Sequence, residues 1–377
     1  MNVKIKIITC LGTRPELIKL SRIIHKLEMN FNHILVNTNQ NFKYELNKIF
    51  FKEFKIKKPK YSFINSLKKN PIEIIANMLS EFEKICISEK PDALLILGDT
   101  NSCLVAYVAK RYKIPIFHLE AGNRCFDDRV PEEINRKIID HLSDINLTYS
   151  GIAREYLLAE NFSKDRIIKV GSPMHEVFHY YKNSIVNSKI IKKLSLKEKS
   201  FFLFSFHRHE NINDPKKIKK FLDLLKFLEK KYQLPIIVST HYSLSDKLSN
   251  LNKKIKLSKI RFCKPFGYFD YCNLLLSAKI VFSDSGTITE ESSIMQFPAI
   301  NLRDNHERPE GMEEASVIMT GLDINKIQNA IEVLTNKENK SSFIVEDYKK
   351  DNVSDKIIKI ILSYINYVNL YVWKKLY

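Results

Sequence analysis

Short apolar runs alternate with segments of helical periodicity along most of this 377-residue chain. Parallel strands joined by helices produce such an alternation, because each crossover between parallel strands needs a long connection that is usually helical. The pattern therefore predicts an α/β fold. The predicted strands are residues 3–10, 33–38, 92–98, 114–119, 145–149, 166–170, 201–206, 234–239, 261–265, 279–283, 298–302 and 316–319.

The alternation is interrupted by a polar, lysine-rich stretch, residues 181–200, which we interpret as a linker. We predict two Rossmann-like, doubly wound domains that face a cleft in the GT-B arrangement, residues 1–175 and 176–352. Residues 353–377 are predicted to form a C-terminal helix that packs back on the first domain. Doubly wound sheets bind ligands at the carboxyl ends of their strands, so we expect the functional residues there.

The charge and the cysteine content exclude several classes of protein. The net charge of +18 would suit nucleic acid, an anionic membrane or a phosphorylated substrate. Because the lysines are spread along the chain without interleaved aromatic residues, we predict neither a nucleic-acid nor a membrane partner. The six cysteines form no Cys-x-x-Cys pair, and no apolar run is long enough for a membrane span or a signal peptide. A cytoplasmic location is expected.

Polar residues follow the predicted strands of the first half. Residues 12–16, Gly-Thr-Arg-Pro-Glu, lead from a strand into a helix, which suits a phosphate but also fits an ordinary strand–helix corner. Asp99 and Glu120 each close a strand, and their carboxylates share one edge if the two strands are neighbours. Asp99 could instead cap a helix, and Glu132 and Glu133 could be ordinary first-turn acids. We predict a set of catalytic carboxylates.

Two motifs stand out in the second half. His207, His209 and Glu210 could be imagined as metal ligands, but no further ligand follows at a suitable spacing. We therefore interpret His207 as a proton carrier or a phosphate contact, with a surface loop as the alternative. Residues 282–291 lead directly from a strand into a helix, so backbone N–H groups and hydroxyls converge at a position that suits a diphosphate. Arg308 offers a bidentate guanidinium for the same phosphates.

Seven short motifs occur along the chain. They are Gly12-Thr13-Arg14-Pro15-Glu16, Gly98-Asp99-Thr100, His118-Leu119-Glu120-Ala121-Gly122, Pro131-Glu132-Glu133-Ile134-Asn135-Arg136, His207-Arg208, Asp284-Ser285-Gly286 and Glu307-Arg308-Pro309-Glu310. In this order they resemble the motifs of the non-hydrolysing UDP-N-acetylglucosamine 2-epimerase family, from residue 3 to about residue 322. The resemblance implies an isomerase that forms a homodimer. Because the sequence has neither a dinucleotide fingerprint nor a metal-ligand set, we expect no cofactor and no metal.

Further residues indicate a branch of that family. They are Asn39-Gln40-Asn41 and residues 122–127, 143–150 and 308–314. These are similar to the branch that converts UDP-2-acetamido-2,6-dideoxy-L-talose into UDP-N-acetyl-L-fucosamine for bacterial capsule or O-antigen synthesis. Asn41 departs from the N-acetylglucosamine branch, which usually has a His there that is linked to allosteric binding of a second substrate molecule. The alternatives are a UDP-N-acetylglucosamine/UDP-N-acetylmannosamine 2-epimerase, a GT-B glycosyltransferase, a hydrolysing 2-epimerase and a sugar-nucleotide binder without catalysis.

The resemblance also implies a reaction and a set of residue roles. UDP is eliminated across C1–C2 to give a 2-acetamidoglycal and is then added back, with the proton delivered to the opposite face. The catalytic residues that match by motif are Asp99, Glu120, Glu132 and His207, with His207 beside the departing phosphate. The UDP-binding residues are Arg14, Lys19, His207, Tyr271, Ser285, Gly286, Thr287, Glu291 and Arg308. Which acid removes the proton is left open.

Overall fold

The protein divides into two compact units, and the chain passes between them twice. Unit 1 contains Met1–His179 and Asp347–Tyr377, and unit 2 contains Tyr180–Glu346. The structure, a computed structural model, describes residues 4–40, 48–63, 70–240, 258–304, 306–336 and 344–375. The two crossings lie a few residues away from the predicted boundaries, after residues 175 and 352.

Strands and helices alternate in the described residues. The strands are β1 (Lys6–Leu11), β2 (Asn32–Asn37), β3 (Tyr61–Ser62), β4 (Ala93–Leu97), β5 (Ile116–Leu119), β6 (Ile145–Thr148), β7 (Ile167–Lys169), β8 (Phe202–Phe206), β9 (Ile236–Thr240), β10 (Ile260–Cys263), β11 (Ile280–Ser283), β12 (Ala299–Asn301) and β13 (Ile318–Met319). The helices are α1 (Arg14–Asn30), α2 (Lys48–Glu53), α3 (Pro71–Glu89), α4 (Ala106–Arg111), α5 (Pro131–Leu142), α6 (Gly151–Ala159), α7 (Met174–Val186), α8 (Ile190–Lys193), α9 (His209–Ile212), α10 (Pro215–Tyr232), α11 (Tyr268–Ser277), α12 (Thr287–Met295), α13 (Pro309–Glu313), α14 (Ile324–Thr335) and α15 (Val353–Tyr367). Short 3₁₀ segments span Asn101–Val105, Lys164–Arg166 and Glu346–Tyr348, and a π-helical turn spans Val368–Val372.

Unit 1 is built on a parallel sheet with the strand order β3-β2-β1-β4-β5-β6-β7. The order reverses between β1 and β4, which makes this pair of strands the topological switch point. All residues of β4 are buried and apolar, as is usual for a parallel strand covered by helices on both faces. The C-terminal helix α15 packs against α1 and buries Val353, Ile357 and Ile361, so it returns to unit 1 as predicted.

Unit 2 repeats this plan with the strand order β10-β9-β8-β11-β12-β13, again parallel throughout. Its switch point lies between β8 and β11. Aromatic rings fill the core beside these strands. The Phe204 ring stacks on the Phe282 ring with centroids 4.4 Å apart, and Phe206 stacks on Phe221 at 4.2 Å. The predicted pair of doubly wound α/β domains is therefore confirmed.

Several helices begin where a short polar side chain accepts a hydrogen bond from an N–H group of the first turn. Asn70 accepts from the backbone of Ile72 at the start of α3, and Asp214 accepts from that of Lys216 at the start of α10. Asp323 has the same role at the start of α14. Among the helices in the described ranges, none combines the length and the apolar character needed to cross a bilayer.

The sequence prediction differs from the structure in three places. The stretch 181–200 is not a plain linker, because α7 continues into it and α8 follows. Buried Tyr181, Ile185 and Ile190 hold this stretch against unit 2 despite its lysines. The two-residue strand β3 was not predicted, since two residues carry no periodicity. The terminal helix ends earlier than expected, as α15 gives way to the π-helical turn.

Candidate active site

The strand ends of unit 1 bring two of the predicted acids to one edge. β4 and β5 are neighbours in parallel register, with Leu97 opposite Leu119. Glu120 directly follows β5, and Asp99 follows β4 after Gly98. The two strands are therefore neighbours, as predicted, and both acids lie at the same edge of the sheet. β1 borders β4 on its other side and brings the start of α1 to the same edge. All three segments meet at the switch point of unit 1.

Arg136 of α5 fixes the carboxylate of Asp99. Its Nε and Nη2 atoms each lie 2.7 Å from Asp99 Oδ2. Asn135 of the same helix donates to the backbone carbonyl oxygen of Asp99 at 2.9 Å. The N-cap position of the following 3₁₀ segment is Thr100. The interpretation of Asp99 as a helix cap is therefore wrong, and its carboxylate is part of an ion pair.

The two glutamates that begin α5 have different environments. Glu133 is buried and accepts hydrogen bonds from the backbone of Cys125 and Phe126 and from Arg136 Nη1, at 3.1, 3.0 and 2.8 Å. Burial opposes ionisation of Glu133, but Arg136 and the two N–H donors outweigh it and lower its pKa. Glu132 remains partly exposed. Glu133 is thus a structural anchor, whereas the side chain of Glu132 is accessible to solvent.

Glu120 is held in a strained conformation. Its φ of +69° lies in the left-handed region, which costs a non-glycine residue about 1–2 kcal/mol. Its backbone N–H donates to Leu147, and its Oε2 atom lies 2.5 Å from Lys19 Nζ in a mostly buried ion pair. Gly122 continues the turn with φ +81°, where a Cβ would lie 2.3 Å from the carbonyl oxygen of Ala153. Strain of this kind concentrates at functional sites.

A buried glutamate, Glu16, ties together the loops that follow β1 and β4. Its Oε2 atom accepts from the N–H of Gly12 at 2.9 Å and from the N–H and hydroxyl of Thr13 at 2.7 Å, and its Oε1 atom accepts from the Thr100 hydroxyl at 2.8 Å. Burial raises the pKa of Glu16 although these hydrogen bonds oppose the shift. Sequence reasoning gave Glu16 no role. The Thr-x-x-Glu spacing of a capping box was the available signal.

A second buried network lies behind Glu120. His118 on β5 places Nδ1 2.9 Å from Asp140 Oδ1 and Nε2 2.8 Å from the carbonyl oxygen of Gly98. Arg124 pairs with Asp140 at 2.7 Å and with Glu160 at 2.6 Å. Burial opposes ionisation of Asp140, but His118 and Arg124 outweigh it and lower its pKa. The network thereby braces the loop that carries Asp99, and no local sequence signal marks it.

Two predicted UDP ligands, Arg14 and Lys19, belong to α1 of unit 1. Arg14 is half-buried, and its guanidinium lies 5.9 Å from the ring centroid of Phe50. Lys19 is buried, pairs with Glu120 and lies 5.4 Å from the ring centroid of Tyr149. Unit 1 therefore places cationic side chains on the same helix that begins at the edge with the carboxylates.

Asp284 organises the corresponding edge of unit 2. This buried carboxylate follows β11 and accepts from the backbone N–H groups of His207 and Arg208, at 3.1 and 3.0 Å, and from the side chain of Asn211 at 3.0 Å. Its Oδ1 atom lies 3.4 Å from His207 Nδ1, and the hydroxyl of Ser205 also lies 3.4 Å from that nitrogen. The structure thus orients His207 at the end of β8, with its ring partly exposed.

Hydroxyl groups line the start of α12, the predicted diphosphate position. The hydroxyl of Ser285 lies 3.0 Å from that of Thr287, which donates to Glu291 Oε1 at 3.1 Å. Gly286 occupies the N-cap position between them. A Cβ on Gly286 would lie 2.6 Å from Glu307 Oε2, so a larger residue here would displace the Glu307 carboxylate. Backbone N–H groups and hydroxyls at a helix N-terminus form a suitable anion site.

Arginines surround this helix start. Arg208 Nη2 lies 3.0 Å from each oxygen of Glu307, and Arg303 Nη2 lies 3.0 Å from Oε1 of the same carboxylate. Arg308 is buried, with Nη2 3.4 Å from Oε2 of the buried Glu290. The carboxylates of Glu290 and Glu307 therefore hold three guanidinium groups in fixed positions beside α12.

The remaining predicted residues are less closely defined. Tyr271 is half-buried on α11, which follows β10. Asn41 lies outside the described residues, and the structure does not describe the side chains of His209 and Glu210. The interpretation of Asn41 as a mark of the branch therefore stays a prediction. The same holds for the expectation that His209 and Glu210 do not bind a metal.

The two units together define a class of protein. Unit 1 carries carboxylates and cations at its switch point, as acid–base catalysis requires. Unit 2 carries a helix start rich in N–H, hydroxyl and guanidinium donors, as diphosphate binding requires. Such a combination on two doubly wound units is typical of enzymes that act on nucleotide sugars.

Comparison with known proteins narrows this class. The family described as UDP-N-acetylglucosamine 2-epimerase matches residues 25–362, so the chain belongs to that family and is an isomerase. The structure of UDP-N-acetylglucosamine 2-epimerase from Rickettsia bellii is 45% identical, with a TM-score of 0.91 over 99% of this chain and 100% of that one. A UDP-GlcNAc 2-epimerase from Methanocaldococcus jannaschii, solved in complex with UDP-GlcNAc and UDP, is 34% identical, with a TM-score of 0.86 over 96% and 99%. UDP-2,3-diacetamido-2,3-dideoxy-D-glucuronate 2-epimerase of Pseudomonas aeruginosa is 30% identical over 80% of this chain and 84% of its own length.

Proposed function

We propose that this chain inverts C2 of a UDP-2-acetamido sugar by eliminating UDP and adding it back. The observation that carries the proposal is the group of strand-end and helix-start carboxylates in unit 1, Asp99, Glu120 and Glu132, on segments that meet beside the switch point. The names of its relatives support the same reaction type, since each is described as a 2-epimerase.

The chemistry explains why carboxylates are needed. C2 has no neighbouring carbonyl group, so its proton is not acidic enough for simple enolisation. A base therefore removes the C2 proton while the C1–O bond to the diphosphate breaks and its electron pair leaves with UDP. The product is a C1=C2 double bond. Re-addition of UDP at C1 and of a proton at the other face of C2 completes the inversion.

Each proposed catalytic residue has a physical task. Asp99, Glu120 and Glu132 remove and return the proton and stabilise positive charge at the anomeric carbon. The Arg136–Asp99 and Lys19–Glu120 ion pairs hold two of these carboxylates in position. His207 acts beside the departing phosphate.

The UDP-binding residues are proposed on donor chemistry. Ser285, Gly286 and Thr287 offer hydroxyl and backbone N–H donors at the start of α12 to the diphosphate. Arg14, Lys19, His207 and Arg308 add positive charge, Glu291 binds the ribose hydroxyls, and Tyr271 packs on the nucleoside.

We further propose that the sugar is UDP-2-acetamido-2,6-dideoxy-L-talose, which becomes UDP-N-acetyl-L-fucosamine. Among the segments that carry this resemblance, residues 122–127 lie against carboxylates of unit 1. Asn123 Nδ2 is 3.3 Å from Glu120 Oε1, and Glu133 holds the backbone of Cys125 and Phe126. A second candidate is UDP-N-acetylglucosamine, since relatives that are 34–45% identical are named for that sugar. We also propose a homodimer in the cytoplasm that serves surface-polysaccharide synthesis without a cofactor.

Solvent deuterium tests the reaction. The purified enzyme is incubated in D₂O with each UDP-sugar, and the products are analysed by NMR. Elimination through an exchangeable acid should place deuterium at C2 of the product and, through reversal, of the substrate. The sugar that is converted identifies the branch. Isomerised product that keeps only its original hydrogen at C2 would exclude the mechanism.

Other outcomes identify the rival functions. Release of free UDP and sugar in equal amounts would indicate a hydrolysing 2-epimerase, in which water captures the intermediate. Tight UDP binding without conversion of either sugar would favour a glycosyltransferase or a non-catalytic binder. Neither outcome is expected.

A further inference from the structure

Two histidines and an aspartate converge at a position that the proposed reaction does not use. His175 and His179 are four residues apart on α7 and therefore lie on one helix face. The Nδ1 atoms of their rings are 2.7 and 2.9 Å from the same oxygen, Oδ1 of Asp351. The candidate ligand atoms of the three residues all lie within 4.8 Å of one another.

This cluster, which we call the crossing cluster, lies where the chain leaves unit 1 and where it returns. The chain leaves unit 1 after His179 and returns at Asp347, so the histidines precede the first crossing and Asp351 follows the second. Glu176 and Ser354 already join these two segments, because the Ser354 N–H donates to Glu176 Oε2 at 2.8 Å and its hydroxyl donates to Oε1. These hydrogen bonds hold the two segments together independently of the crossing cluster.

The chemistry of the three side chains suits a borderline divalent ion. Imidazole nitrogen and carboxylate oxygen are common ligands of Zn²⁺, which takes four ligands in a tetrahedron. Tetrahedral bonds of about 2.0–2.1 Å place ligand atoms about 3.3 Å apart, so the three donors need only a small outward shift. The Asp351 side chain is 66% exposed and free to make that shift, and water can reach the fourth position.

The charges around the crossing cluster act in both directions. Lys349 repels a cation, and the Asp351 carboxylate offsets that repulsion.

We propose that His175, His179 and Asp351 bind one Zn²⁺ ion, with water as the fourth ligand, and that the ion clamps together the two segments that connect the units. The site is structural. It touches none of the residues that we assign to catalysis, so chelation should leave epimerisation intact.

Isothermal titration of the tag-free, chelator-treated full-length chain with ZnCl₂ tests the site. One ion per chain is expected to bind with micromolar or tighter affinity. His175→Gln, His179→Gln and Asp351→Asn should each weaken binding by at least about 100-fold, as loss of a ligand does. His141→Gln, an exposed histidine of α5, is the matched control and should bind as the wild type does.

Two further measurements separate a built site from adventitious binding. Zn²⁺ should raise the melting temperature of the wild type but not of the His175→Gln/His179→Gln double variant. Co²⁺ in place of Zn²⁺ should give visible absorption bands of four-coordinate geometry that the double variant lacks. Absence of binding in the wild type, or equal binding by the double variant, would overturn the proposal. These readouts do not depend on catalysis, so failure of the site is distinguishable from failure of the proposed function.

Discussion

The two units share one topology but differ in the side chains at their strand ends. In unit 1, acids at the switch point are held by long cationic side chains, as in Arg136–Asp99 and Lys19–Glu120. In unit 2, the acid at the same place, Asp284, is satisfied by backbone N–H groups and an amide and serves to orient a loop. The shared strand order determines where a site can form, whereas the local side chains determine whether it handles protons or an anion.

The comparison predicts that the carboxylates of unit 1 control the rate and not UDP binding. Asp99→Asn, Glu120→Gln and Glu132→Gln should each lower kcat by about 10²–10⁴-fold, the usual loss for a positioned acid or base. UDP affinity, measured by calorimetry, should stay within a few-fold, because the proposed diphosphate donors lie mainly in unit 2.

The matched control for these variants is Asp128→Asn. Asp128 is an exposed acid of the same unit, paired only on the surface with Lys137. It should keep the wild-type rate. If the three catalytic variants lost UDP binding in proportion to their rate, the division of labour between the units would be wrong.

In unit 2 we expect a substitution to weaken UDP binding. Arg308→Ala should weaken UDP binding by about 2–5 kcal/mol, because it removes a buried guanidinium from the proposed phosphate site. Calorimetric titration with UDP measures the change. Arg261→Ala, an exposed arginine of unit 2, is the control and should bind UDP normally.

Loss of Arg308 also leaves the Glu290 carboxylate buried, so folding must be checked separately. The double variant Arg308→Ala/Glu290→Gln removes that uncompensated charge and should recover stability without recovering UDP affinity. Recovery of both would mean that Arg308 acts on the fold rather than on the nucleotide.

Acid should destabilise unit 1 in particular because of His33. This residue lies on β2 with Nε2 2.9 Å from the Thr9 hydroxyl, and burial, assisted by Lys57, lowers its pKa from 6.5 to about 4. Between these values the unfolded chain binds a proton that the folded chain does not, so stability falls as the pH drops. Between pH 7 and pH 4 the free energy of unfolding should fall by about 2–3 kcal/mol because of His33.

Denaturant unfolding of the wild type and of His33→Gln measures this effect. His33→Gln should lose less stability than the wild type when the pH falls from 7 to 4. The control His141→Gln should lose as much stability as the wild type. Trp373 is the single tryptophan of the chain and belongs to unit 1, so its fluorescence follows that unit alone. An equal pH dependence in all three proteins would contradict the buried state of His33.

Much of the fold could be predicted because apolar runs and helical periods are local signals. The twelve strands predicted from such runs are present with small shifts, and β3 escaped detection because it has two residues. The error at residues 181–200 has a different cause. Single buried side chains such as Ile185 and Ile190 anchor α7 and α8 among lysines, and only tertiary packing reveals this.

The strand-end acids could be located from sequence because they follow directly from the strands. The residues that hold the loops and side chains of the site in place could not be located in this way. Asp140 reaches His118, and Glu307 reaches Arg208, across intervals that depend on how the strands are ordered. Glu16 is different, because the Thr-x-x-Glu spacing of its capping box is a local signal in the sequence, although we had assigned it no role.

The discontinuity of unit 1 has a consequence for biosynthesis. Its two stretches of chain, Met1–His179 and Asp347–Tyr377, are separated by all of unit 2. The ribosome therefore delivers the complete sequence of unit 2 before α15 emerges. Nascent chains usually mature from the N-terminus onward. Here the order differs, because α1 lacks the apolar cover of Ile357 and Ile361 until the residues that follow unit 2 have been synthesised. Unit 2 is therefore complete in sequence before unit 1 is.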